Sequence, residues 1–311
     1  MILCALALVV ATVVATMMHV TPPKVEGTGI FYSLNGTLIE PGPLSATLNV
    51  VCLLVTGAIM LTLNKVYGYI RSVTRLVAAT YFLLQAAHPT SLAALNIGSL
   101  MVLVTAVSLM PLFASYQDKH AQRSIFLIFA LTATGSMFHY GFLALIPAYL
   151  LGFLNMRALG PKGLLAMLFG LVTPFWIVMG LGLVTPGDVI APRIDGVWHA
   201  LEWPNGSIGV VVASVTALLG VVLAAINLPT IMNYRMQPRV YNIALAILLI
   251  MAIVAMYVDY RDMMVFLPLI HLMVAVQVAQ THVLHTSVLF RYVFLLLLVA
   301  CCVAAACLMM P

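Results

Sequence analysis

The chain has 311 residues, of which 64% are hydrophobic and only 7% are charged, and its mean hydropathy is +1.16. Soluble globular domains carry about 25% charged residues, so most of this surface cannot face water. The net charge of +5 does not indicate nucleic-acid binding, because most cations fall in short loops between apolar segments. Composition therefore excludes a soluble globule, and residues 1–311 are predicted to form a single integral membrane domain.

Apolar segments recur along the whole chain and predict about eleven membrane-spanning helices. Their lengths approach the 20 or so residues that cross a roughly 30 Å hydrocarbon core, and a helix satisfies its own peptide groups in lipid. The predicted fold is an all-α, polytopic transmembrane bundle of nine to eleven spans. The distribution of charges fixes the count only to within a pair of spans, and residues 76–115 would form either two spans or one broken helix. The predicted spans are 2–20, 44–63, 76–88, 93–115, 124–138, 141–156, 163–184, 207–228, 241–258, 263–280 and 291–310.

The central hairpin, residues 124–156, serves as the topological reference of the chain. Lys119 and Arg123 precede it, and Arg157 and Lys162 follow it, so both feet are predicted to lie in one compartment. With a cytoplasmic N-terminus and alternating spans, ten cations fall in inner loops and three in outer loops, while seven of the eight acids fall outside. This distribution predicts a multi-pass protein of the inner (cytoplasmic) membrane with its N-terminus in the cytoplasm.

Two outer loops, residues 21–43 and 185–206, carry the first candidate site residues. Glu26 and Glu40 in the first loop could act as general bases on a substrate hydroxyl. Solvated loop charges are the simpler interpretation of both. The second loop combines Arg193, which could meet a phosphate, with the titratable His199 and several acids. An interfacial helix with solvated charges is the alternative there.

No cofactor is predicted from these loops. The acids of residues 185–206 would suit a divalent cation, but no metal-type spacing supports one, and no metal ligand is assigned. The sequence also lacks GxSxG, HExxH and Ser-x-x-Lys patterns, which argues against covalent hydrolysis and zinc proteolysis.

The hairpin tip and the tenth predicted span hold further polar residues. His139 and Tyr140 lie at the tip, where a functional group and a wet, satisfied turn are both open. His271 and Gln277 lie within an apolar run and would serve either an ion path or a helix-to-helix hydrogen bond. None of the acids is predicted in the middle of a span, which argues against a proton-coupled transporter but not against a flippase.

Residues 87–177 contain the Ala87-His88-Pro89 turn, the basic loop YQDKHAQR, the hairpin ALTATGSMFHYGFLALIPAYLLGF, the turn NMRALGPKG and a run with an internal proline. In this pattern the segment resembles the middle of the GT-C superfamily of multi-pass glycosyltransferases. The resemblance implies a polyprenyl-phosphate-linked sugar as donor at the outer face. It also implies Glu26 or Glu40 as the catalytic acid, with His139, Arg193 or His199 facing the lipid phosphate. Tyr140, next to His139 at the tip, joins these three as a predicted substrate-binding residue. The first loop departs from the family because it has no paired-acid motif.

The whole chain also resembles an uncharacterised family of multi-pass inner-membrane proteins from Bacteroidota. The length, the central hairpin pattern and the lack of soluble domains are shared, but this resemblance implies no activity. Three functions are therefore open: a GT-C-like transferase in envelope glycan assembly, a non-enzymatic subunit or scaffold with membrane-protein partners, and a lipid flippase or transporter. Membrane lipid is the expected partner in each, and nucleic acid is not.

Overall fold

A computed structural model describes residues 1–20, 29–31, 38, 40–72, 75–192, 207–259, 262–284, 296 and 298–303. These residues form helices and their connections, and no β-strand occurs among them. The helices are α1 Ile2–Met17, α2 Pro43–Tyr67, α3 Leu76–Ala86, α4 Pro89–Leu92, α5 Ile97–Ala114, α6 Gln122–Ser136, α7 Leu145–Asn155, α8 Pro161–Gly180, α9 Ser207–Met232, α10 Met236–Val258 and α11 Met263–Leu284, with short 3₁₀ helices at Tyr140–Ala144 and Pro186–Asp188.

Six of the described helices are long and apolar enough to cross a membrane. They are α2, α5, α8, α10 and α11 over their full lengths and α9 from Val210 to Met232. Shorter apolar helices cover Ile2–Met17, Leu76–Ala86 and Tyr140–Asn155. The prediction of an all-α, membrane-embedded bundle is confirmed, whereas the count of eleven spans and the cytoplasmic N-terminus stay predictions.

The helices are arranged so that basic residues gather at one end of the bundle. The Tyr241 hydroxyl at the start of α10 donates to the Phe113 carbonyl at the end of α5, at 3.1 Å, and Asn155 at the end of α7 donates to the Val240 carbonyl, at 2.9 Å. We call this end the basic end, because it holds Lys65, Arg71, Arg75, Lys119, Arg123, Arg157, Lys162, Arg235 and Arg239. The opposite, acidic end holds Glu40, Asp188, Asp259 and Asp262. Which compartment each end faces stays a prediction.

Residues 76–115 form two longer helices, α3 and α5, joined by the short helix α4, because Pro89 interrupts the chain. The residue before a proline disfavours the α conformation, and His88 accordingly has φ −123° and ψ 77°. The short helix α4 follows, and the Asn96 side chain then accepts a hydrogen bond from the Ser99 backbone N–H at 2.8 Å to cap α5. The break holds His88 inside the bundle, where it is 1% exposed.

Helix α11 is the most enclosed of the candidate spans, because 94% of its apolar 18-residue segment is buried inside the bundle. It packs against α3, α5, α9 and α10. A helix that is apolar all round is expected at such a central position. Helix α8 is the least enclosed: only 11% of its apolar 18-residue segment is buried, and it packs mainly against α6. The polar side chains of α11 therefore face protein, not lipid.

Candidate functional site at the acidic end

Three ionisable side chains, His139, Asp259 and Asp262, meet at the acidic end of the bundle. His139 Nε2 lies 3.2 Å from Asp262 Oδ2, and the two side chains are 0% and 1% exposed. Asp259 is half-buried, and one ligand-type atom from each of the three residues lies within 4.8 Å of those of the others. We call these three residues the acidic-end cluster.

Each member of the acidic-end cluster is positioned by a chain end or a turn. His139 follows α6 and caps the next 3₁₀ helix, because its Nδ1 accepts a hydrogen bond from the Gly141 N–H at 2.9 Å. A Cβ at Gly141 would lie 2.8 Å from that Nδ1, so the turn requires glycine. Asp259 ends α10, and Asp262 directly precedes α11, where its carbonyl accepts from the Val265 N–H at 2.8 Å.

The hydrogen bonds of His139 fit a histidine–carboxylate pair better than a metal centre. A backbone N–H can only donate, so Nδ1 of His139 must be an acceptor, and the proton of the neutral ring then lies on Nε2. That proton is donated to Asp262. A metal ion would need a lone pair at Nε2, which requires the proton on the nitrogen that faces the Gly141 N–H. The three residues have the spacing of a cation site, but this tautomer opposes it.

Segments from both predicted outer loops lie against the hairpin tip beside the cluster. The Ile30 N–H donates to the Ser136 carbonyl at 3.0 Å, and the Ile190 N–H donates to the Ile30 carbonyl at 2.9 Å. The Tyr140 hydroxyl donates to the Ile190 carbonyl. A Cβ at Gly29 would lie 2.1 Å from the Met137 carbonyl oxygen, so this close approach depends on glycine. Both loops therefore converge on the tip that carries His139.

The structure separates the residues predicted from the sequence. His139 belongs to the acidic-end cluster, whereas Tyr140 bonds to backbone and is not one of its members. Glu40 lies exposed at the same end and outside the cluster. Glu26, Arg193 and His199 lie outside the described residues. The interpretation of the tip as a wet turn is wrong for His139, which is fully buried.

Asp188, an acid of the second loop, bonds within its own turn. Its carboxylate accepts hydrogen bonds from the Thr185 N–H at 2.7 Å and the Thr185 hydroxyl at 2.8 Å. These two donors stabilise the charged form and lower the pKa of Asp188 below its ordinary value. The residue is exposed and serves as a local cap.

Asp259 and Asp262 were not singled out by the sequence as site residues. In the sequence they are charges of the short turn between the predicted spans 241–258 and 263–280. The available signal was topological: this turn and the His139 tip fall on the same side when the spans alternate. Nothing in the sequence indicates that two such turns, 123 positions apart, come into contact.

The intramembrane polar residues of α11 divide into two kinds. The Asn227 side chain donates to Gln277 Oε1 at 3.2 Å, so Gln277 makes the helix-to-helix hydrogen bond that was one of its two interpretations. His271 instead lies beside His88, with ring centroids 4.7 Å apart. No hydrogen-bond partner for either ring nitrogen of His271 is found in the described part of the chain.

Comparison of the chain with protein-family models, with curated proteins and with solved structures gives no match.

Proposed function

We propose that the protein is a membrane-embedded transferase that works at its acidic end, with the acidic-end cluster as its acid–base centre. The observation that carries the proposal is the pair of carboxylates, Asp259 and Asp262, held within 4.8 Å of each other and of His139. A paired acid is the feature that the first predicted outer loop lacks. Here the pair comes from the turn between α10 and α11 instead.

The two carboxylates differ in exposure, and this assigns them different roles. Asp259 is half-buried and can reach a bound hydroxyl, so it acts as the general base. Asp262 is enclosed and bonded to His139, so it is a positioning residue. Asp259 takes the proton of the acceptor hydroxyl, whose oxygen forms a bond to the sugar C1. The bond between C1 and the phosphate oxygen breaks, and the phosphate leaves on its lipid carrier.

The lipid-linked donor is supported by the part of the chain that resembles GT-C enzymes. That segment, residues 87–177, includes the hairpin whose tip supplies His139 to the cluster. The site also lies at an end of a membrane bundle, where a lipid-anchored phosphate would reside. Asp259 thus replaces Glu26 and Glu40 in the role of base. Arg193 and His199 stay the proposed phosphate-binding residues.

The decisive variant is Asp259→Asn, with Asp188→Asn as a matched control, because Asp188 is an exposed acid at the same end. Loss of a general base costs about 100-fold or more in rate. Cells carrying Asp259→Asn should accumulate polyprenyl-phosphate-linked sugar, measured by mass spectrometry of lipid extracts at equal protein level. Asp188→Asn and Glu40→Gln should not. An unchanged lipid pool in the Asp259→Asn strain would overturn the proposal.

Transport is the second candidate function, and the burial of Asp262 favours it. A proton-coupled transporter needs a buried acid, and Asp262 is 1% exposed at the start of the enclosed helix α11. This function predicts a proton flux in proteoliposomes that Asp262→Asn abolishes, read with an internal pH dye. A non-enzymatic scaffold predicts no effect of either variant and a stable partner after purification in mild detergent.

A further inference from the structure

Two histidines face each other inside the bundle, apart from the acidic-end cluster. His88 lies at the break between α3 and α4 and is 1% exposed, and His271 lies within α11 and is 0% exposed. Their ring centroids are 4.7 Å apart, with 50° between the ring planes. Neither residue belongs to the proposed transferase site.

The hydrogen bonding of His88 leaves one ring nitrogen with a lone pair. Its Nδ1 lies 3.3 Å from the Leu84 carbonyl oxygen. A carbonyl only accepts, so Nδ1 donates, and Nε2 of the neutral ring carries the lone pair. This pattern, in which one nitrogen donates to a backbone carbonyl, is the usual support of a metal-binding imidazole. His139 shows the reverse pattern, with its Nδ1 accepting from a backbone N–H.

Three of the four ring nitrogens of this pair have no hydrogen-bond partner among the residues that the structure describes. They are Nε2 of His88 and both nitrogens of His271. Unpaired buried polar atoms are rare and usually indicate a water, an ion or a functional role. Gln277, on the same helix, is hydrogen-bonded to Asn227, so α11 can pair its polar residues where their role is structural.

We propose that His88 and His271 bind one transition-metal cation of the copper and zinc class, through Nε2 of His88 and one ring nitrogen of His271. Metal–nitrogen bonds of about 2.0 Å place each ring centre about 3.2 Å from the ion, and the observed separation then corresponds to an N–metal–N angle of about 95°. This angle leaves coordination positions for water or a substrate. Imidazole suits copper and zinc, whereas calcium and magnesium require oxygen ligands.

Both ligands are neutral, which favours a monovalent ion within the class. Burying a divalent charge among apolar groups costs more than burying a single charge. Copper(I) is therefore expected to bind more tightly than zinc(II). The proposal does not depend on transferase activity, because it concerns equilibrium binding to a different part of the bundle.

The test is metal binding to the purified full-length protein in detergent. Copper(I) is supplied anaerobically against a colorimetric chelator, and zinc(II) is supplied in a separate arm. We expect one equivalent of copper(I) per chain, with affinity at least 10-fold lower in His88→Ala and in His271→Gln, since even loss of a supporting residue costs 10–100-fold. X-ray absorption should show nitrogen ligands at about 2.0 Å.

Two control variants lie at exposed positions away from this site. His120→Ala at the basic end and Asp188→Asn at the acidic end should both bind the metal like the unmodified chain. His271→Gln keeps a polar side chain of similar size, and its thermal unfolding reports whether it has folded. Failure of the unmodified chain to bind either metal would overturn the proposal. So would equal binding by folded His271→Gln.

Discussion

Replacing His139 by alanine tests the most buried charge interaction described in the chain. The substitution removes the Nε2–H that donates to Asp262 at 3.2 Å, and it removes the Nδ1 that accepts from the Gly141 N–H at 2.9 Å. Asp262 keeps its position at the start of α11, where its side chain is 1% exposed. The variant therefore leaves a carboxylate inside the protein without this donor.

The magnitude follows from that burial. Removing the neutral imidazole takes away a hydrogen bond to a buried carboxylate, which costs about 1.5–3 kcal/mol because such a bond is charge-assisted. The double variant His139→Ala/Asp262→Ala leaves no buried charge, so its loss should be smaller than the sum of the two single losses by about 1–3 kcal/mol. A surface histidine offers the matched control: His120 is exposed, and His120→Ala should change stability by less than about 0.5 kcal/mol.

The assay is unfolding of the purified protein in mixed detergent micelles, with the four variants and the unmodified chain compared under the same conditions. Thermal scans should show His139→Ala unfolding several degrees below His120→Ala. The reasoning would be refuted if His139→Ala and His120→Ala were equally stable, or if the losses of the two single variants simply added in the double variant. Either result would mean that the hydrogen bond between the two side chains does not stabilise the folded protein.

Two further predictions concern packing and pH. Gly170→Ala should destabilise the α6–α8 contact by about 1–3 kcal/mol in the same unfolding assay, because its Cβ would lie 2.6 Å from the Phe126 carbonyl oxygen. Gly180→Ala should not, because no described atom lies within 4 Å of the added Cβ. The pKa of Asp188 should be below its ordinary 3.8 when titrated by carbon-13 NMR, so the turn is stabilised at neutral pH and loses this stabilisation as pH falls through the lowered pKa. Thr185→Ala should bring that pKa back up, and an unchanged value would contradict the bonding seen here.

The long apolar segments were predictable from the sequence because their length is set by the membrane. The predicted span 241–258 corresponds to α10, Met236–Val258, and the predicted span 263–280 corresponds to α11, Met263–Leu284. Helix α10 ends at Val258, directly before Asp259, and α11 begins at Met263, directly after Asp262, so the charges of the short turn mark the boundary between the two apolar segments. The hairpin 124–156 was also recognisable, although its tip is a 3₁₀ helix and not a plain turn.

The site was less predictable, because its residues come from distant turns. Glu40 is a candidate base in the first predicted outer loop, yet it is exposed and outside the cluster. In the sequence, Asp262 is one of several charged residues in turns between spans. Only its contact with the buried His139 distinguishes it from them. The same holds for His88, which the sequence placed at a polar turn and the bundle places against His271.

The sequence by itself determined that the protein is embedded in lipid, that its fold is helical and that its basic residues lie at one end. These properties are sums over many residues: hydropathy over a span and charge over a loop, neither of which depends on which helices touch. Tertiary structure alone decided which ionisable groups meet. A buried imidazole and carboxylate are brought together by the packing of the hairpin tip against the start of α11, and that contact is set by shape complementarity across the whole bundle, which no local pattern encodes.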